Sequence, residues 1–410
     1  MTTFSPMRGA ICIVSPGNLA SNPRVLKEAD ALHEAGYAVT AVACDYTEAL
    51  RSFDDEIAAG APWKVVRVPR SRSERPIGLL AGGVARLAGT HTPVALAARA
   101  YGGPVAALRR AASGVSADLY IGHYIAGLAA AGRAAQRRGA MLGFDAEDLH
   151  TGEGTALQMS MVRTIEGVLM PSCRHVTAAA PLIGKAYRAR YGVEPATVLN
   201  VFPLAMAPAK PICAGQGTLR AYWFSQTVGL DRGLQAFIQA MARTTMRVTL
   251  DIRGSNRWGH GDRLMELARE LGVADRVRLL PMAAPQEMVR LAADYDIGLS
   301  LETDVSENRR VCLTNKIFTY LLAGVPVLLS DTPAQGALAP ELGVAARIVS
   351  LADPTGIAAA LDRLAGAPDE RSAARDMAWR LGRERYNWDV EKGALLGSVE
   401  LAFANRRVAA

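Results

Sequence analysis

Strand-like and helix-like segments alternate along most of this chain, and that alternation limits the fold more than any other feature. Short apolar segments bounded by turn residues are followed by segments with helical periodicity, first over residues 10–201 and again over residues 220–329. Strands that alternate with helices predict parallel sheets covered by helices on both faces. The sequence therefore predicts an α/β protein made of two doubly wound halves.

The predicted strands can be placed from the apolar segments. They lie at residues 10–15, 37–44, 63–68, 119–122, 141–144, 175–178 and 197–201 in the first half, and at 220–224, 247–252, 277–280, 297–301 and 326–329 in the second. Pro23 opens the first helix, whose apolar face carries Val25, Leu26, Ala29 and Leu32. Residues 76–112 are predicted to form alanine-rich helices, and residues 369–404 a helix interrupted near Asn387.

A proline- and glycine-rich segment between the halves predicts a linker. It contains Pro203, Pro208, Pro211, Gly215 and Gly217. The predicted domains are residues 1–205, residues 206–385 and a C-terminal helical segment, 386–410, that returns to the first domain. A chain of 410 residues is also longer than one ordinary core accommodates.

The amino-acid composition favours some classes of binding partner but does not identify a single one. The formal net charge is +7, which favours an anionic partner such as a nucleotide sugar, an anionic lipid surface or nucleic acid. Aromatic residues are not interleaved with the basic ones, so single-stranded nucleic acid is not expected. No apolar segment approaches the roughly 18 residues that span a bilayer, and no signal peptide is recognised. The five cysteines are widely spaced, which is typical of free thiols in a cytoplasmic protein.

One predicted helix carries a charge of unexpected sign. Residues 313–331 indicate a helix that ends at Gly324 and leads into a buried strand, with Thr314 or Asn315 as the cap. Lys316 lies in the first turn, where the helix dipole is already positive. Exposed N–H groups and a lysine together are a common phosphate site. The alternative is a solvated surface lysine.

Several familiar motifs are missing or weak. No Gly-x-Gly-x-x-Gly follows the first strand, and no phosphate-binding loop of the GxxxxGK[ST] type is found. Asp294-Tyr-Asp296 matches a metal motif by letter but falls at a predicted helix-to-strand boundary. The sequence therefore predicts neither a dinucleotide-dependent oxidoreductase nor a metal site.

Candidate phosphate and sugar ligands follow several strands of the second half. They are Arg232 and Gly233 before a predicted helix, Arg253 after the next strand, Glu302 at a strand end, and Asn308 and Arg309 in the following loop. Each one alone could be an ordinary turn or surface residue. Because ligands of parallel sheets bind at the carboxyl ends of strands, their common location favours a single site.

Five segments resemble one family of enzymes. They are residues 21–37, 144–150, 191–203, 315–327 and 386–388. They are similar to the retaining glycosyltransferases of the large Glu-x7-Glu group, which have the GT-B fold of two facing Rossmann-like domains with a central cleft. The resemblance covers nearly the whole chain.

The resemblance implies roles for individual residues. Gly17 would lie beneath the donor diphosphate, Arg232 and Lys316 would bind that diphosphate, and His123 would lie near the transferred sugar. The predicted donor site consists of ten residues: Gly17, Arg232, Gly233, Arg253, Glu302, Asn308, Arg309, Asn315, Lys316 and Thr319. The predicted acceptor residues are Asn18, Asp148 and His150. His123, Arg232 and Lys316 form the predicted catalytic set, and a satisfied strand-end histidine is the alternative for His123.

Two departures from the family pattern stand out. The glutamate that usually holds the ribose is replaced by Thr319, and its partner by Val311. A basic residue expected after the strand at 220–224 is replaced by Gln226. Glu302, Asn308 and Arg309 would then compensate for the lost contacts.

The predicted activity is transfer of a hexosyl group from a nucleotide-diphosphate sugar, with retention and without a metal or other cofactor. The acceptor is unknown; lipid-linked molecules, polysaccharides and small molecules are candidates, and polysaccharide biosynthesis is the implied setting. A transfer-inactive sugar-nucleotide-binding protein and a sugar-nucleotide epimerase remain as alternatives. The basic segment 70–75 and the helices up to Arg110 also suggest peripheral contact with the inner, anionic face of a membrane, against the alternative of a solvated basic face.

Overall fold

The chain divides into two compact units. The computed structural model describes residues 8–70, 74–209 and 217–409. The first unit comprises Met1–Val198 with Lys392–Ala410, and the second comprises Leu199–Glu391. The sequence placed the corresponding boundaries after residues 205 and 385. Pro211 and Gly215 of the predicted linker lie outside the described residues.

A seven-stranded parallel sheet forms the centre of the first unit. Its strands are β1 (Ala10–Ser15), β2 (Ala38–Asp45), β3 (Lys64–Pro69), β4 (Leu119–His123), β5 (Met141–Ala146), β6 (Cys173–Ala178) and β7 (Ala196–Thr197). They are arranged in the order β3-β2-β1-β4-β5-β6-β7. The order reverses direction between β1 and β4, which opens a crevice at the carboxyl ends of those strands.

Eight helices and part of a ninth accompany the first sheet in the described residues. They are α1 (Pro23–Glu34), α2 (Arg51–Gly60), α3 (Glu74–Ala88), α4 (Val94–Tyr101), α5 (Val105–Gly114), α6 (Tyr124–Arg138), α7 (Ala156–Leu169), α8 (Pro181–Tyr191) and the later part of the final helix, Trp388–Ala409. Val25, Ala29 and Leu32 of α1 pack against Ile11 and Ile13 of β1, as the helical spacing predicts. Val399 and Ala402 of the final helix join the same core.

The second unit repeats this architecture with six strands. They are β8 (Thr218–Thr227), β9 (Arg247–Ser255), β10 (Val277–Leu280), β11 (Ile297–Ser300), β12 (Val327–Ser330) and β13 (Ala346–Val349), in the order β10-β9-β8-β11-β12-β13. The helices are α9 (Leu234–Met241), α10 (His260–Glu270), α11 (Met288–Ala292), α12 (Glu307–Val311), α13 (Asn315–Leu322), α14 (Pro333–Leu342), α15 (Pro354–Gly366) and α16 (Pro368–Glu384), before the final helix, α17 (Trp388–Ala409). The crevice here lies between β8 and β11.

The predicted α/β class is confirmed, and the differences are local. The strand predicted at residues 197–201 is only two residues long, because the chain leaves the sheet after Thr197 and Val201 forms a turn with Leu199. Strand β13 was not predicted; its half-exposed residues lie at the edge of the sheet, where an apolar run is not required. Asp296 directly precedes β11, which agrees with its interpretation as a boundary residue.

Two further sequence expectations can be compared with the described residues. Cys12, Cys44 and Cys312 are buried and Cys173 is half-buried, and these four form no disulfide with one another, while Cys213 lies outside the described part. Within the described ranges no helix combines the length and apolar character needed to cross a bilayer.

Candidate functional site

A buried carboxylate surrounded by three cations lies at the crevice of the second sheet. Glu302 lies two residues after the end of β11 and is 1% exposed. One of its oxygens, Oε2, accepts hydrogen bonds from Arg232 Nη1 at 3.1 Å and Arg309 Nη1 at 3.2 Å. Lys316 Nζ lies 3.1 Å from the other oxygen, Oε1. We call these four residues the Glu302 cluster.

The Glu302 cluster has more positive than negative charge. Burial by itself would raise the pKa of Glu302, but Lys316, Arg232 and Arg309 lower it to about 2. The carboxylate is therefore ionised at neutral pH and neutralises one of the three cations. Asp231 lies 3.6 Å from Arg232 Nε, but its side chain is half exposed, so water weakens that pair. An excess of positive charge at the carboxyl end of a strand, with little access to water, favours a bound anion.

Two helix N-termini lie next to the same cations. Arg232 precedes α9, whose cap residue is Gly233, and Lys316 is the second residue of α13. Gly233 has φ +66°, and a β-carbon at this position would come within 2.7 Å of Leu301. Only glycine therefore allows the start of α9 to approach the end of β11 so closely. Helix N-termini add partial positive charge to the site.

The structure supplies an anion for Lys316 within the protein itself. The lysine is buried rather than solvated, and its partner is Glu302. Thr314 is the cap residue of α13, but its side chain makes no capping hydrogen bond and lies 3.2 Å from the hydroxyl of Ser300. The sequence suggested a lysine beside a ligand phosphate, and it did not indicate that three cations share one carboxylate.

Other predicted donor residues lie around the cluster without contributing to its ion pairs. Arg253 donates to the Tyr222 hydroxyl at 2.8 Å and to the Pro281 carbonyl at 2.8 Å. Thr319 is fully buried, and its hydroxyl donates to the Asn315 carbonyl at 2.8 Å. Asn308 is buried in α12. The Thr319 side chain is therefore placed as part of the core and not as a surface that a ribose could contact.

The first unit contains a second buried charge cluster, at the end of β4. His123 is fully buried; its Nε2 lies 2.5 Å from Glu28 Oε2 and its Nδ1 lies 3.1 Å from Glu147 Oε1. Asp145 Oδ2 lies 3.3 Å from Nδ1. Arg24 holds both oxygens of Asp145, at 2.5 and 2.7 Å. We call these five residues the His123 cluster.

The carboxylates determine the charge of His123. Burial disfavours the imidazolium, but the charges of Glu28 and Asp145, and the hydrogen bonds that the ring donates to Glu147 and Glu28, raise the pKa of His123 to about 10. Burial likewise opposes ionisation of Asp145, yet Arg24 holds the pKa of Asp145 well below its usual range. Two cations thus face three carboxylates. A protonated imidazole cannot accept a proton, so this histidine is unsuited to general-base catalysis at neutral pH.

The backbone beside His123 is strained. Tyr124 has φ +54°, a conformation that residues other than glycine rarely adopt. Its hydroxyl donates to Glu147 at 3.3 Å, which ties the strained residue to the cluster. The predicted position of His123 near a transferred sugar stays a prediction. Since its ring is fully enclosed, His123 is placed to orient neighbouring groups.

Three of these residues have the spacing of a metal site. The ligand atoms of His123, Asp145 and Glu147 lie within 4.8 Å of one another. However, both oxygens of Asp145 are bonded to Arg24, and Thr177 also donates to one of them. Both nitrogens of His123 face carboxylates. Protein cations therefore already occupy the positions that a metal ion would take.

The predicted loop residues of the first unit have structural partners. Asn18 is 1% exposed, and its amide bonds to Asp54 Oδ2 at 2.8 Å and to both backbone groups of Thr47. Both N–H groups of the amide are therefore used within the protein, and the predicted contact of Asn18 with an acceptor stays a prediction. The Gly17 carbonyl accepts from Cys44 N at 3.2 Å.

The remaining predicted acceptor residues follow β5. The Asp148 carbonyl lies 3.5 Å from the Tyr187 hydroxyl, and its side chain is half-buried. The ring of His150 packs between Phe144 and Tyr124, with centroids 5.9 and 5.8 Å away. Its Nε2 is buried and has no hydrogen-bond partner among the described residues. His150 is thus the predicted acceptor residue with an unused polar atom.

Sequence reasoning missed Arg24, Glu28 and Asp145. A signal existed for the first two, because they are four residues apart on α1 and flank its apolar face at Val25 and Ala29. Charged residues at such positions are buried only when they are paired. Asp145 gave no signal alone, since a single aspartate at a strand end is common.

Comparisons with known proteins place this architecture. The fold is GT-B, as predicted, and residues 231–392 match the family model described as "Glycosyl transferase-like". No curated protein sequence matches the chain.

Similar solved structures extend over nearly the whole chain at low identity. HepE of Anabaena, in complex with UDP and glucose, has a TM-score of 0.71 and 14% identity, covering 96% of this chain and 100% of HepE. Sucrose-phosphate synthase of Thermosynechococcus elongatus has a TM-score of 0.70 and 13% identity, covering 97% and 100%. A putative UDP-N-acetylglucosamine 2-epimerase of Listeria monocytogenes has a TM-score of 0.56 and 13% identity, covering 97% of each chain. At such identities the likeness establishes the fold.

Proposed function

We propose that this protein is a glycosyltransferase that uses a nucleotide-diphosphate sugar as donor. The observation that carries the proposal is the Glu302 cluster, in which buried Lys316 and half-buried Arg232 and Arg309 share one buried carboxylate at the crevice of the second sheet. The matched segment, residues 231–392, includes all four members of the cluster. HepE, which shares the fold, was crystallised in complex with UDP and glucose, and this supports the same donor class here.

The chemistry follows from where negative charge develops. In the transfer, the bond between the sugar C1 and the diphosphate oxygen breaks with its electron pair on oxygen, and C1 forms a bond to the acceptor oxygen. Arg232, Lys316 and the start of α9 stabilise the negative charge on the departing diphosphate. The acceptor hydroxyl gives its proton to that diphosphate, so no side chain has to act as a base.

Glu302 has a positioning role in this proposal. It holds Arg232, Arg309 and Lys316 together when no diphosphate is bound, because three unpaired cations could not be buried side by side. Arg232 and Lys316 face the diphosphate with their remaining N–H groups. Arg232 Nε supports this arrangement, since it is buried and has no hydrogen-bond partner among the described residues.

Three finer features are also part of the proposal. The transferred group is a hexosyl unit whose anomeric configuration is retained, as the resemblance to the Glu-x7-Glu group implies. The transfer needs no metal, because protein cations supply the charge that a metal would supply. The acceptor binds to the first unit near His150 and Asp148, with His123 orienting Tyr124 and Glu147.

Donor binding and turnover can be measured together. The protein is titrated with UDP, GDP and ADP in a calorimeter, and then incubated with the matching nucleotide sugars while donor consumption is followed by mass spectrometry. We expect one diphosphate to bind, and its sugar donor to be hydrolysed slowly without acceptor. Formation of a different sugar of equal mass would indicate an epimerase, and binding without turnover of any donor would indicate a transfer-inactive protein.

Two substitutions test the location of the site. Arg232→Ala and Lys316→Ala should each weaken diphosphate binding by about 1.5–3 kcal/mol, the value of a lost charged hydrogen bond. Arg363→Ala is the matched control, since this arginine of the same unit is 61% exposed and pairs only with Glu370 at the surface. Unchanged affinity in both cluster variants would refute the site.

A further inference from the structure

Helix α3 exposes a concentration of apolar side chains. Fifteen large apolar residues are exposed among the described residues, and five of them lie on this helix: Ile77 (51%), Leu79 (80%), Leu80 (74%), Val84 (54%) and Leu87 (91%). Exposed apolar side chains that occur singly are normal, but a group on one helix marks an interaction surface.

The five residues are not on the face that packs against the first unit. Ala81 and Ala85 are buried, and a β-carbon at Gly78 would lie 3.2 Å from the Arg99 carbonyl of α4. Small residues therefore bring α3 close to α4. A separate stripe along the helix is formed by residues 77, 80, 84 and 87, which have helical spacing. Leu79 lies beside this stripe on the helix surface, and Gly83 lies between them. We call these five residues the α3 stripe.

The surroundings of the α3 stripe are basic. Between Glu74 and Asp118 the chain contains no aspartate or glutamate, but it contains Arg75, Arg86, Arg99, Arg109 and Arg110. Arg86, on α3 itself, is exposed, and so are Arg99 and Arg110. Apolar residues on a segment with five arginines and a single carboxylate, Glu74 at the start of α3, are typical of helices that bind an anionic lipid surface.

We propose that the α3 stripe lies in the headgroup region of an anionic bilayer, with α3 parallel to the membrane plane. The leucines and the valine would enter the boundary with the acyl chains, and the neighbouring arginines would contact lipid phosphates. The helix has 15 residues and is therefore about 22 Å long, which suits a position along the surface. This inference does not depend on the proposed transferase activity.

Charge favours a lipid surface over a second copy of the chain. In a symmetric dimer the same patch faces itself, so Arg86 and Arg99 of the two copies would approach each other. Glu74 is the single carboxylate of residues 74–117 and could offset only part of that repulsion, since the same segment contains five arginines. An anionic bilayer instead complements the same arginines.

The experiment measures binding of the full chain to vesicles. Flotation is compared for vesicles of phosphatidylcholine alone and of phosphatidylcholine mixed with phosphatidylglycerol. We expect binding to the anionic vesicles only, weakened by salt. The variant Leu79→Gln/Leu80→Gln/Leu87→Gln should lower the partition coefficient by about a hundredfold, because three leucines no longer enter the apolar boundary. These side chains pack against little, so the variant should fold, and its unfolding temperature checks this.

Controls separate apolar from electrostatic contributions. Leu401→Gln, at an equally apolar side chain that is 62% exposed on α17, should bind vesicles like the wild type. Arg86→Gln should lower the partition coefficient by about fivefold. The proposal is overturned if the wild type binds neither vesicle, or if the triple variant binds as well as the wild type. It is also overturned if, without lipid, light scattering shows a wild-type dimer that the triple variant abolishes.

Discussion

The two buried charge clusters are built from the same kinds of residue but in opposite proportions. In the His123 cluster, Arg24 and the protonated His123 face Glu28, Asp145 and Glu147. In the Glu302 cluster, a single carboxylate faces Arg232, Arg309 and Lys316. Each lies at the crevice of a parallel sheet, where His123 ends β4 and Glu302 follows β11 by two residues. The first cluster is close to balanced within the protein, whereas the second has an excess of two positive charges.

This difference separates a structural role from a binding role. A nearly balanced network holds its own members in place and gains little from a further ion. A network with excess positive charge is stabilised when an anion joins it. We therefore expect the two clusters to respond alike to the loss of a carboxylate but differently to added diphosphate.

Removing one carboxylate from either cluster should have the largest effect. Asp145→Asn and Glu302→Gln should each lower the free energy of unfolding by about 3–5 kcal/mol, because the buried cations lose their partner. Inorganic pyrophosphate should then stabilise Glu302→Gln more than it stabilises the wild type. It should not change the stability of Asp145→Asn. Urea titrations with and without pyrophosphate measure both effects.

A matched surface variant calibrates this experiment. Glu370→Gln removes a carboxylate that is 46% exposed and pairs with Arg363, so its cost should stay below about 1 kcal/mol. Equal stabilisation of both cluster variants by pyrophosphate would contradict the assignment of the anion site to the second unit alone.

Two residues, His123 of the first cluster and Glu302 of the second, should respond to pH in opposite directions. The pKa of His123 is raised from 6.5 to about 10, so its contribution to stability is present below pH 6.5 and is lost as the pH rises towards 10. The pKa of Glu302 is lowered from 4.5 to about 2, so its contribution is present above pH 4.5 and is lost as the pH falls towards 2. The unfolding temperature should therefore fall at both ends of the pH range.

Variants identify which cluster causes which loss. His123→Gln should flatten the decline of the unfolding temperature between pH 6.5 and 10 and leave the acid side unchanged. Glu302→Gln should flatten the decline below pH 4.5 and leave the alkaline side unchanged. An alkaline decline in His123→Gln as steep as in the wild type would show that the histidine is not held as an imidazolium.

The fold could be predicted because its determinants are local. The apolar runs of β1, β4, β8 and β11 are each bounded by turn residues, and the stripe on α1 has helical spacing. Strand β13 escaped prediction because an edge strand need not be apolar on both faces. Strand β7 ended early because pairing with β6, and not local preference, decides its length.

The site could be predicted only in part because its contacts are distant in sequence. Arg232, Glu302 and Lys316 were identified from their places at strand ends and helix starts, and the structure brings them together. The pair of Arg232 and Glu302 joins residues that are 70 positions apart, and a local sequence pattern cannot reveal such a contact. The structural partner of Asn18 was not foreseen for the same reason, since Asp54 lies 36 residues further along the chain, on α2.

Thr319 offers a smaller test of how the second unit departs from the family pattern. Thr319→Val keeps the shape of this buried side chain but removes the hydrogen bond to the Asn315 carbonyl. The free energy of unfolding should fall by about 0.5–1.5 kcal/mol. Diphosphate affinity, measured by calorimetry, should stay within about twofold of the wild type. A tenfold change would correspond to about 1.4 kcal/mol of binding free energy. A large loss of affinity would mean that Thr319 contacts the donor.

The smallest expected effect is that of removing metal ions. His123, Asp145 and Glu147 have the spacing of a metal site, but Arg24 bonds to both oxygens of Asp145 and the protonated His123 has no lone pair to offer. In the Glu302 cluster, cations of the protein face the proposed diphosphate. Donor hydrolysis should therefore proceed at the same rate with a chelator, with added magnesium and with added manganese. A contrary result would be that the chelator stops turnover of the wild type and manganese restores it, whereas manganese does not restore turnover of Glu147→Gln. That result would show that the first unit binds a metal, and the contrast between the two clusters would no longer hold.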